Sequence, residues 1–231
     1  MKIKLISYSQ HAVDPSIGLD IELDLMNMQD LIAYCARVSN PSNQSNTETS
    51  EKLIRYLINN QHWSPLEMVS ACLEIETTRD IARQMLRHRS FSFQEFSQRY
   101  ADPTKDLDFV IREARLQDKT NRQNSVQIDM NNDEHRYIAV GWEEMQKRAI
   151  NEARNAYDWA IAKGIAKEQA RAVLPEGNTV SRLYMNGTLR SWIHYIQLRS
   201  SNGTQKEHMD VAKACAEVIS KVFPMSKEFV E

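Results

Sequence analysis

Two stretches in the first third of the chain alternate apolar and polar residues. The first is residues 2–8, and the second places Val69, Ala71, Leu73 and Ile75 on one side. Because successive side chains of a strand point to opposite faces of a sheet, this alternation is typical of half-buried strands. We therefore predict one strand at 2–8 and another that begins at Val69.

Elsewhere, apolar residues recur every three to four positions, which is the period of a helix with one buried face. In the segment 188–199, Leu189, Trp192, Ile193 and Ile196 form such a stripe. The predicted helices are 27–37, 51–61, one from about Thr77 that ends in Arg87-His88-Arg89, 133–163 with Gly164 as its stop, 168–175, 188–199 and one that ends near Pro224.

Two of these helices are expected to begin at a capping box, in which a threonine is followed three positions later by an acidic residue. The pairs are Thr77 with Asp80 and Thr204 with Glu207. The polar segment 119–132 predicts a surface loop. The residues expected to face inward on the longest helix are Trp142, Met145, Ile150, Ala153, Tyr157 and Ala160.

The composition limits the kind of protein. The chain has 231 residues, 42% of them hydrophobic, and a formal net charge of −2, which excludes a globally basic surface for nucleic acid. Cys35, Cys72 and Cys215 form no CxxC pair, a pattern typical of a reducing compartment. No apolar run approaches the ~20 residues of a membrane span, and the first is too short for a signal peptide. We expect a cytoplasmic protein that binds neither membranes nor nucleic acid.

Residues able to bind or react with a ligand are concentrated in the stretch 87–99, which begins Arg87-His88-Arg89 and ends Ser97-Gln98-Arg99. Adjacent cations become favourable when an anion lies against them, and each charge-assisted hydrogen bond from a guanidinium group contributes about 1.5–3 kcal/mol. One interpretation is a site for a phosphate-bearing ligand. The other is a solvated basic turn, which the helix dipole also favours at a C-terminus. The residues alone leave both open.

The same stretch matches the pattern RHRxxSxxxxSxR at every fixed position: Arg87, His88, Arg89, Ser92, Ser97 and Arg99. This pattern resembles the signature of the flavin-dependent thymidylate synthase family. The resemblance extends more loosely from about Ile32 to Glu207. Its further elements are Ala36-Arg37-Val38-Ser39, the run Ala170-Arg171-Ala172-Val173-Leu174-Pro175, and Leu198-Arg199 followed by Gln205 and Glu207.

The resemblance implies a single domain over 1–231 of class α+β (α/β mixed). Its mainly antiparallel central sheet would be flanked by helices, with long helices in the C-terminal half. The implied reaction is reductive methylation of dUMP to dTMP. In it, 5,10-methylenetetrahydrofolate donates the carbon and NADPH-reduced FAD donates the electrons. The family's active sites lie between the subunits of a homotetramer.

The family's site residues carry over position by position. The residues implied for dUMP are Gln84, Arg87, Glu95, Ser97, Arg99, Arg171 and Arg199, of which Arg171 would reach the nucleotide of a neighbouring subunit. The residues implied for FAD are Ser39, Arg87, His88, Arg89, Glu95, Arg190 and His194. A helix-end serine is the alternative for Ser39, and a turn serine for Ser97. We expect the two arginines beside His88 to lower its pKa and keep its ring neutral.

Two positions depart from the family. Met68 follows Glu67 where the family usually has a histidine near the flavin, which removes one candidate acid or base. His194 replaces an asparagine that is frequent in the family, and it keeps a hydrogen-bonding group at that position.

The cysteines do not look catalytic. Cys35 and Cys215 lie in apolar helix patterns and Cys72 in a strand, so all three are expected in the core. A guanidinium near N3 and O4 of uracil would instead stabilise the ring as its anion and raise the electron density at C5. The resemblance gives this catalytic role to Arg199, whereas composition alone does not choose it over Arg190.

One alternative is a non-catalytic nucleotide- or RNA-binding protein with a basic ridge and stacking aromatic rings. The ridge would consist of Arg79, Arg83, Arg87 and Arg89, and the rings would be Phe91, Phe93 and Phe96. A metal site is a second alternative, but the spacing of His62, His88 and His194 gives it no support, and no metal is expected.

Overall fold

The computed structural model describes residues 1–11 and 27–230. Its strands are β1 (Lys2–Tyr8), β2 (Ser70–Thr78), β3 (Ser92–Glu95), β4 (Arg115–Gln117), β5 (Ser125–Gln127) and β6 (Val180–Thr188). The main sheet has the order β1-β2-β6-β3, and every neighbouring pair in it is antiparallel. β4 and β5 form a separate antiparallel hairpin.

Eight α-helices accompany these strands in the described part of the chain. They are α1 (Met28–Ala36), α2 (Ser50–Asn59), α3 (Arg79–Met85), α4 (Pro103–Asp106), α5 (Asp133–Ala162), α6 (Lys167–Ala170), α7 (Leu189–Ser200) and α8 (Lys206–Ile219). This architecture confirms the predicted α+β class, with an antiparallel sheet and long C-terminal helices. The predicted domain bounds, 1–231, stay a prediction, since 12–26 and 231 lie outside the described residues. None of the described helices is both long and apolar enough to cross a membrane.

The core lies on one face of the main sheet. Leu73 and Ile75 on β2 pair with Met185 and Leu183 on β6, and all four side chains are fully buried. They belong to the same hydrophobic cluster as the buried faces of α7 and α8, and Trp192 of α7 donates from Nε1 to the backbone oxygen of β2 residue Ala71 at 3.0 Å. The opposite face is polar and carries Glu74, Glu76, Arg182 and Tyr184, which hydrogen-bond across β2 and β6.

Two strands of the main sheet were missed in the sequence. β6 does alternate, since Ser181, Leu183 and Met185 are buried and Tyr184 is exposed. However, small and polar residues among its inward positions weaken the pattern. β3 has four residues, too few for alternation to be read. The predicted loop 119–132 is also wrong in part, because β5 lies within it.

The helix predictions need corrections at their ends. Thr78 rather than Thr77 caps α3, and Gln205 rather than Thr204 precedes α8; neither makes the predicted bond from a capping side chain to the backbone. α3 ends at Met85, before the Arg87-His88-Arg89 triplet. The α-helical part of 168–175 ends at Ala170, with a 3-10 turn over Arg171–Val173, and the last helix ends at Ile219 instead of near Pro224.

The prediction for the inward face of α5 is confirmed for four of its six residues. Ile150, Ala153, Tyr157 and Ala160 are buried as predicted. Trp142 and Met145 are 47% and 58% exposed, so that prediction is wrong for them. The helix does end as expected, with Gly164 at φ +77° directly after the cap residue Lys163.

Phe91 anchors the segment that leads into β3. Its ring centroid lies 4.8 Å from that of Trp192 and 5.9 Å from that of Tyr195, both edge-on. Its ring also covers Gly187 of β6, where a Cβ atom would come within 2.4 Å of Phe91 Cδ1. Only glycine leaves room for this ring, so residue 187 allows Phe91 to pack at this point of the sheet.

We therefore predict that Gly187→Ala lowers the free energy of unfolding by about 1–3 kcal/mol, the usual cost of overpacking a core. Urea denaturation measures the change. Gly141→Ala is the matched control: a Cβ there meets nothing within 4 Å inside α5, so this variant should gain roughly 0.5–1 kcal/mol. Equal stabilities for the two variants would contradict the close contact.

Candidate active site

The triplet Arg87-His88-Arg89 lies in the turns just after α3. His88 N donates to the oxygen of Met85 at 2.9 Å, and Phe91 N donates to the oxygen of His88 at 3.2 Å. With Phe91 anchored in the core, these turns leave Arg87 and Arg89 exposed and His88 half-buried. The histidine therefore points toward protein while its two neighbours face solvent.

His88 receives a hydrogen bond from Arg199, which lies 111 positions later in the last turn of α7. The donor is Arg199 Nε and the acceptor is His88 Nε2, at 2.9 Å. Burial is the main cause that lowers the pKa of His88 to about 4, followed by the charges of Arg199 and Arg87. The expected direction of the pKa shift is confirmed, but Arg199 rather than Arg89 is the second cation responsible. A neutral ring is required, because an imidazolium has no lone pair to accept with.

A partly buried series of hydrogen bonds lies beside this pair, and a ring contact joins the two. The ring of Tyr195 lies edge-on to His88 with centroids 5.0 Å apart, and the Tyr195 hydroxyl is 3.1 Å from His208 Nε2. His208 Nδ1 lies 3.2 Å from Gln84 Oε1, and Gln84 Nε2 donates to Gln205 Oε1 at 2.8 Å. Gln205 and Arg115 then hydrogen-bond the carboxylate of Glu207. These contacts bring together three of the predicted site residues: Gln84, His88 and Arg199.

Sequence reasoning missed Tyr195 and His208. Tyr195 is 1% exposed and lies within the stripe of α7, between Ile193 and Ile196. His208 is fully buried and lies three and four positions before the buried residues Val211 and Ala212. That spacing was the available signal: a histidine on the apolar face of a helix needs partners for both of its ring nitrogens.

Glu95 belongs to a different contact. Ser181 Oγ donates to Glu95 Oε1 at 2.8 Å, and Arg79 Nη1 lies 3.6 Å from the same oxygen. Arg79 is 9% exposed and also lies 3.8 Å from Glu176, which pairs with Arg83 at 2.9 Å. The basic ridge of the nucleic-acid alternative is therefore contradicted at its first two arginines, because Arg79 is buried and both Arg79 and Arg83 lie against carboxylates.

The stacking part of the nucleic-acid alternative is contradicted at its first ring. Phe91 is 8% exposed and packed on Trp192, so it cannot stack on a base.

A third group of candidate residues lies near Glu168 and consists of Ser97, Arg99 and Arg171. Ser97 Oγ accepts from the backbone N–H of Arg99 at 3.4 Å. Arg99 Nη2 is 3.3 Å from the carboxylate of Glu168, and Arg171 Nε donates to the backbone oxygen of Glu168 at 3.3 Å. Both arginines thus approach Glu168 within one chain.

Arg190 and His194 line a fourth place, a cavity of about 360 Å³. Arg190 Nη1 donates to Glu67 Oε1 at 2.6 Å, and Thr188 donates to the other carboxylate oxygen at 2.7 Å. The bond from Arg190 is the largest cause of the lowered pKa of Glu67. The pKa of His194 is lowered chiefly by burial and then by Arg190. Met68, next to Glu67, is 59% exposed.

Ser39 lies apart from these groups. It lines a separate cavity of about 530 Å³ with residues of α1 and α2, among them Ala36, Lys52 and Tyr56. The candidate flavin residues are therefore distributed over more than one place in a single chain. Within the described residues, no group of three or more His, Cys, Asp or Glu side chains could hold a metal ion.

The cysteines occupy less of the core than predicted. Cys215 is buried, whereas Cys35 and Cys72 are only partly buried. Burial raises the pKa of each thiol above its ordinary value. Since the thiolate is the nucleophilic form, none of the three is prepared for attack.

Comparisons with known proteins identify the family of the chain. A family model described as thymidylate synthase complementing protein matches residues 23–225. The probable flavin-dependent thymidylate synthase of Paramecium bursaria Chlorella virus 1 is 46% identical over 224 residues, which is 97% of this chain and 96% of the relative. The flavin-dependent thymidylate synthase of Synechocystis sp. is 46% identical over 225 residues, with the same coverage of each. The crystal structure of the UMP/dUMP methylase PolB from Streptomyces cacaoi, bound with 5-Br UMP, has a TM-score of 0.76 at 26% identity and covers 99% of this chain and 92% of the PolB chain.

The fold and the site define an α+β protein in which arginine, histidine and amide side chains converge where two helices end. The matches over nearly the whole length give the particular family. The chain belongs to the flavin-dependent thymidylate synthases, the thymidylate synthase complementing proteins.

The two buried histidines predict a pH-dependent stability. The pKa of His88 is lowered to about 4 and that of His208 to about 3, whereas an unfolded chain binds these protons near pH 6.5. The unfolded state therefore holds more protons between about pH 6.5 and about pH 3. The free energy of unfolding should fall as the pH drops through that window, by up to about 1.4 kcal/mol per pH unit for each histidine.

Urea denaturation between about pH 7 and about pH 4 measures this slope. His88→Phe and His208→Phe should each make it shallower, while the non-titrating change Ser226→Ala should keep it. Parallel slopes in all four proteins would contradict the assignment.

Proposed function

We propose that this chain forms dTMP by reductive methylation of dUMP, with 5,10-methylenetetrahydrofolate as carbon donor, FAD as cofactor and NADPH as the source of electrons. Family membership over nearly the whole chain supports thymidylate synthesis by methyl transfer. The observation that carries the residue assignments is the hydrogen bond from Arg199 to His88. It joins the two segments that resemble the family's signatures at one point.

Unpaired cations support the binding of phosphorylated ligands. Arg87 and Arg89 are exposed, and neither has a carboxylate within ion-pair distance among the residues described. Guanidinium groups in that state fit phosphate oxygens. We assign FAD to Ser39, Arg87, His88, Arg89, Glu95, Arg190 and His194, and dUMP to Gln84, Arg87, Glu95, Ser97, Arg99, Arg171 and Arg199.

Arg199 is proposed as the catalytic residue. Its Nε is held by neutral His88, and its terminal nitrogens have no hydrogen-bond partner among the described residues. Placed at N3 and O4 of uracil, they would stabilise the pyrimidine as its anion and make C5 nucleophilic toward the folate carbon. Bound FAD supplies the electrons that reduce the transferred carbon to a methyl group.

A homotetramer with active sites between subunits is part of the proposal. The candidate residues lie in separate groups within one chain, around His88, around Glu168 and in the two cavities. Large apolar side chains of α5 are exposed, including Tyr137 at 80% and Trp159 at 61%, and exposed patches of this kind mark contact surfaces. We also propose a cytoplasmic location, which three free cysteines favour.

The absorption spectrum of the purified protein tests the cofactor and the reaction together. We expect a yellow protein, or one that turns yellow with added FAD, that NADPH bleaches and that then converts dUMP to dTMP when methylenetetrahydrofolate is added. A colourless protein that binds RNA with a steep dependence on salt would overturn the proposal in favour of nucleic-acid binding.

Arg199→Ala tests the mechanism. Loss of one preorganised donor typically costs on the order of 10²–10³ in rate, so kcat should fall by about that factor while FAD stays bound. Replacement of all three cysteines by alanine should leave kcat largely intact. Arg55→Ala, which removes an exposed arginine paired with Glu228, is the matched control and should behave as the parent. A folded, flavin-bound triple-cysteine variant without turnover would contradict activation by arginine.

A further inference from the structure

One buried titratable group has no part in the mechanism proposed above. His208 is fully buried in α8, and both of its ring nitrogens have partners: Gln84 at Nδ1 and Tyr195 at Nε2. Any buried histidine needs such partners, so their identity, rather than their presence, indicates what His208 does. The contacts link it to one candidate dUMP residue directly.

The carboxylate of Glu207 determines which group donates and which accepts in each hydrogen bond from Gln205 to Tyr195. An ionised carboxylate can only accept, so Gln205 presents its NH₂ to Glu207 at 2.9 Å and its oxygen to Gln84. Gln84 must then donate to Gln205 and turn its own oxygen toward His208. His208 Nδ1 therefore carries the proton, and its Nε2 accepts from the Tyr195 hydroxyl.

Glu207 is itself held firmly. Arg115 Nη2 donates to one of its oxygens at 2.5 Å, and Arg112 Nη1 lies 3.7 Å from the other. Arg112 in turn pairs with Asp80 at 2.6 Å. The direction of these hydrogen bonds is thus set by an ion-pair network rather than by one mobile side chain.

These hydrogen bonds fix the orientation of the Gln84 amide. A free glutamine amide can flip and exchange its donor for its acceptor. Here a flip would place the NH₂ group against His208 Nδ1–H and the oxygen against Gln205 Oε1, which leaves two partly buried contacts without a hydrogen bond. In the observed orientation, one N–H of Gln84 Nε2 has no partner among the described residues and is available as a donor.

We propose that His208 is a positioning residue for nucleotide binding: with Gln205 on the other side, it holds the oxygen of the Gln84 amide so that the second N–H of Gln84 is presented to an acceptor oxygen of the nucleotide. The inference rests on the proposed role of Gln84 in the dUMP site. His208 touches no ligand and acts through Gln84, with Tyr195 holding the far side of its ring.

A double-mutant cycle on the flavin-loaded enzyme tests this role. His208→Phe should raise the KM for dUMP about tenfold, the equivalent of one hydrogen bond, with a smaller change in kcat. In a Gln84→Ala background the same replacement should change KM by less than about twofold, since the group through which it acts is gone. An equal shift of KM in both backgrounds would overturn the proposal.

Two further variants keep the test valid if His208→Phe does not fold. His208→Asn retains a donor near the position of Nδ1, whereas His208→Gln places its amide near Nε2. Only the asparagine variant should keep the parental KM, and equal KM values for the two would count against the positioning role. Ser226→Ala is the control for buried polar loss, because Ser226 Oγ donates to the Ala216 oxygen of α8 at 2.7 Å; it should lower Tm without a change in KM.

The outcomes separate this inference from the proposed function. A parent protein that forms no dTMP would contradict the function itself. A parent that forms dTMP, with no coupling between His208 and Gln84, would contradict only the positioning role.

Discussion

The ladder between β2 and β6 is the constraint on which the site depends. It pairs the strands from Ser70 with Thr188 to Thr78 with Val180, and each strand runs without a loop into a helix, α3 at Arg79 and α7 at Leu189. Because the strands are antiparallel, the two helices leave from opposite ends of the ladder. Their C-terminal ends nevertheless meet, where His88 accepts from Arg199. The sheet register therefore sets the distance between two groups that the sequence separates by 111 positions.

Burial divides the cations of this region into two kinds. Arg79, Arg112 and Arg115 are largely buried and lie against carboxylates, so they hold the scaffold together. Arg87 and Arg89 remain exposed. Burial also keeps His88 and His208 neutral beside Arg199, because a further positive charge in that space would be opposed both by desolvation and by repulsion.

The elements that could be predicted are those with one uniformly apolar face, such as β2 and α7. β6 was not predicted because Ser181 and Gly187 occupy inward positions and interrupt the apolar pattern. Residue 187 is glycine because the Phe91 ring leaves no room for a Cβ atom. Trp142 and Met145 were misassigned because periodicity identifies an apolar face without saying what covers it. For the site, the motif identified residue types but no distances. The contacts of His88 with Arg199 and of Arg99 with Glu168 could therefore be identified only in the structure. His208, a polar residue in an apolar stripe, was not among the predicted site residues.

The two arginines of α7 that composition could not separate have different partners. Arg190 donates to the carboxylate of Glu67 at 2.6 Å, which largely neutralises its charge. Arg199 donates to a neutral imidazole at 2.9 Å, which orients the guanidinium, and no carboxylate of residues 1–11 or 27–230 forms an ion pair with it. A group that must stabilise a developing anion needs both a fixed direction and an uncompensated charge. That difference supports Arg199 over Arg190 as the activating residue, and it gives the lowered pKa of His88 a purpose: protonation of the ring would remove the acceptor that holds Arg199 in place.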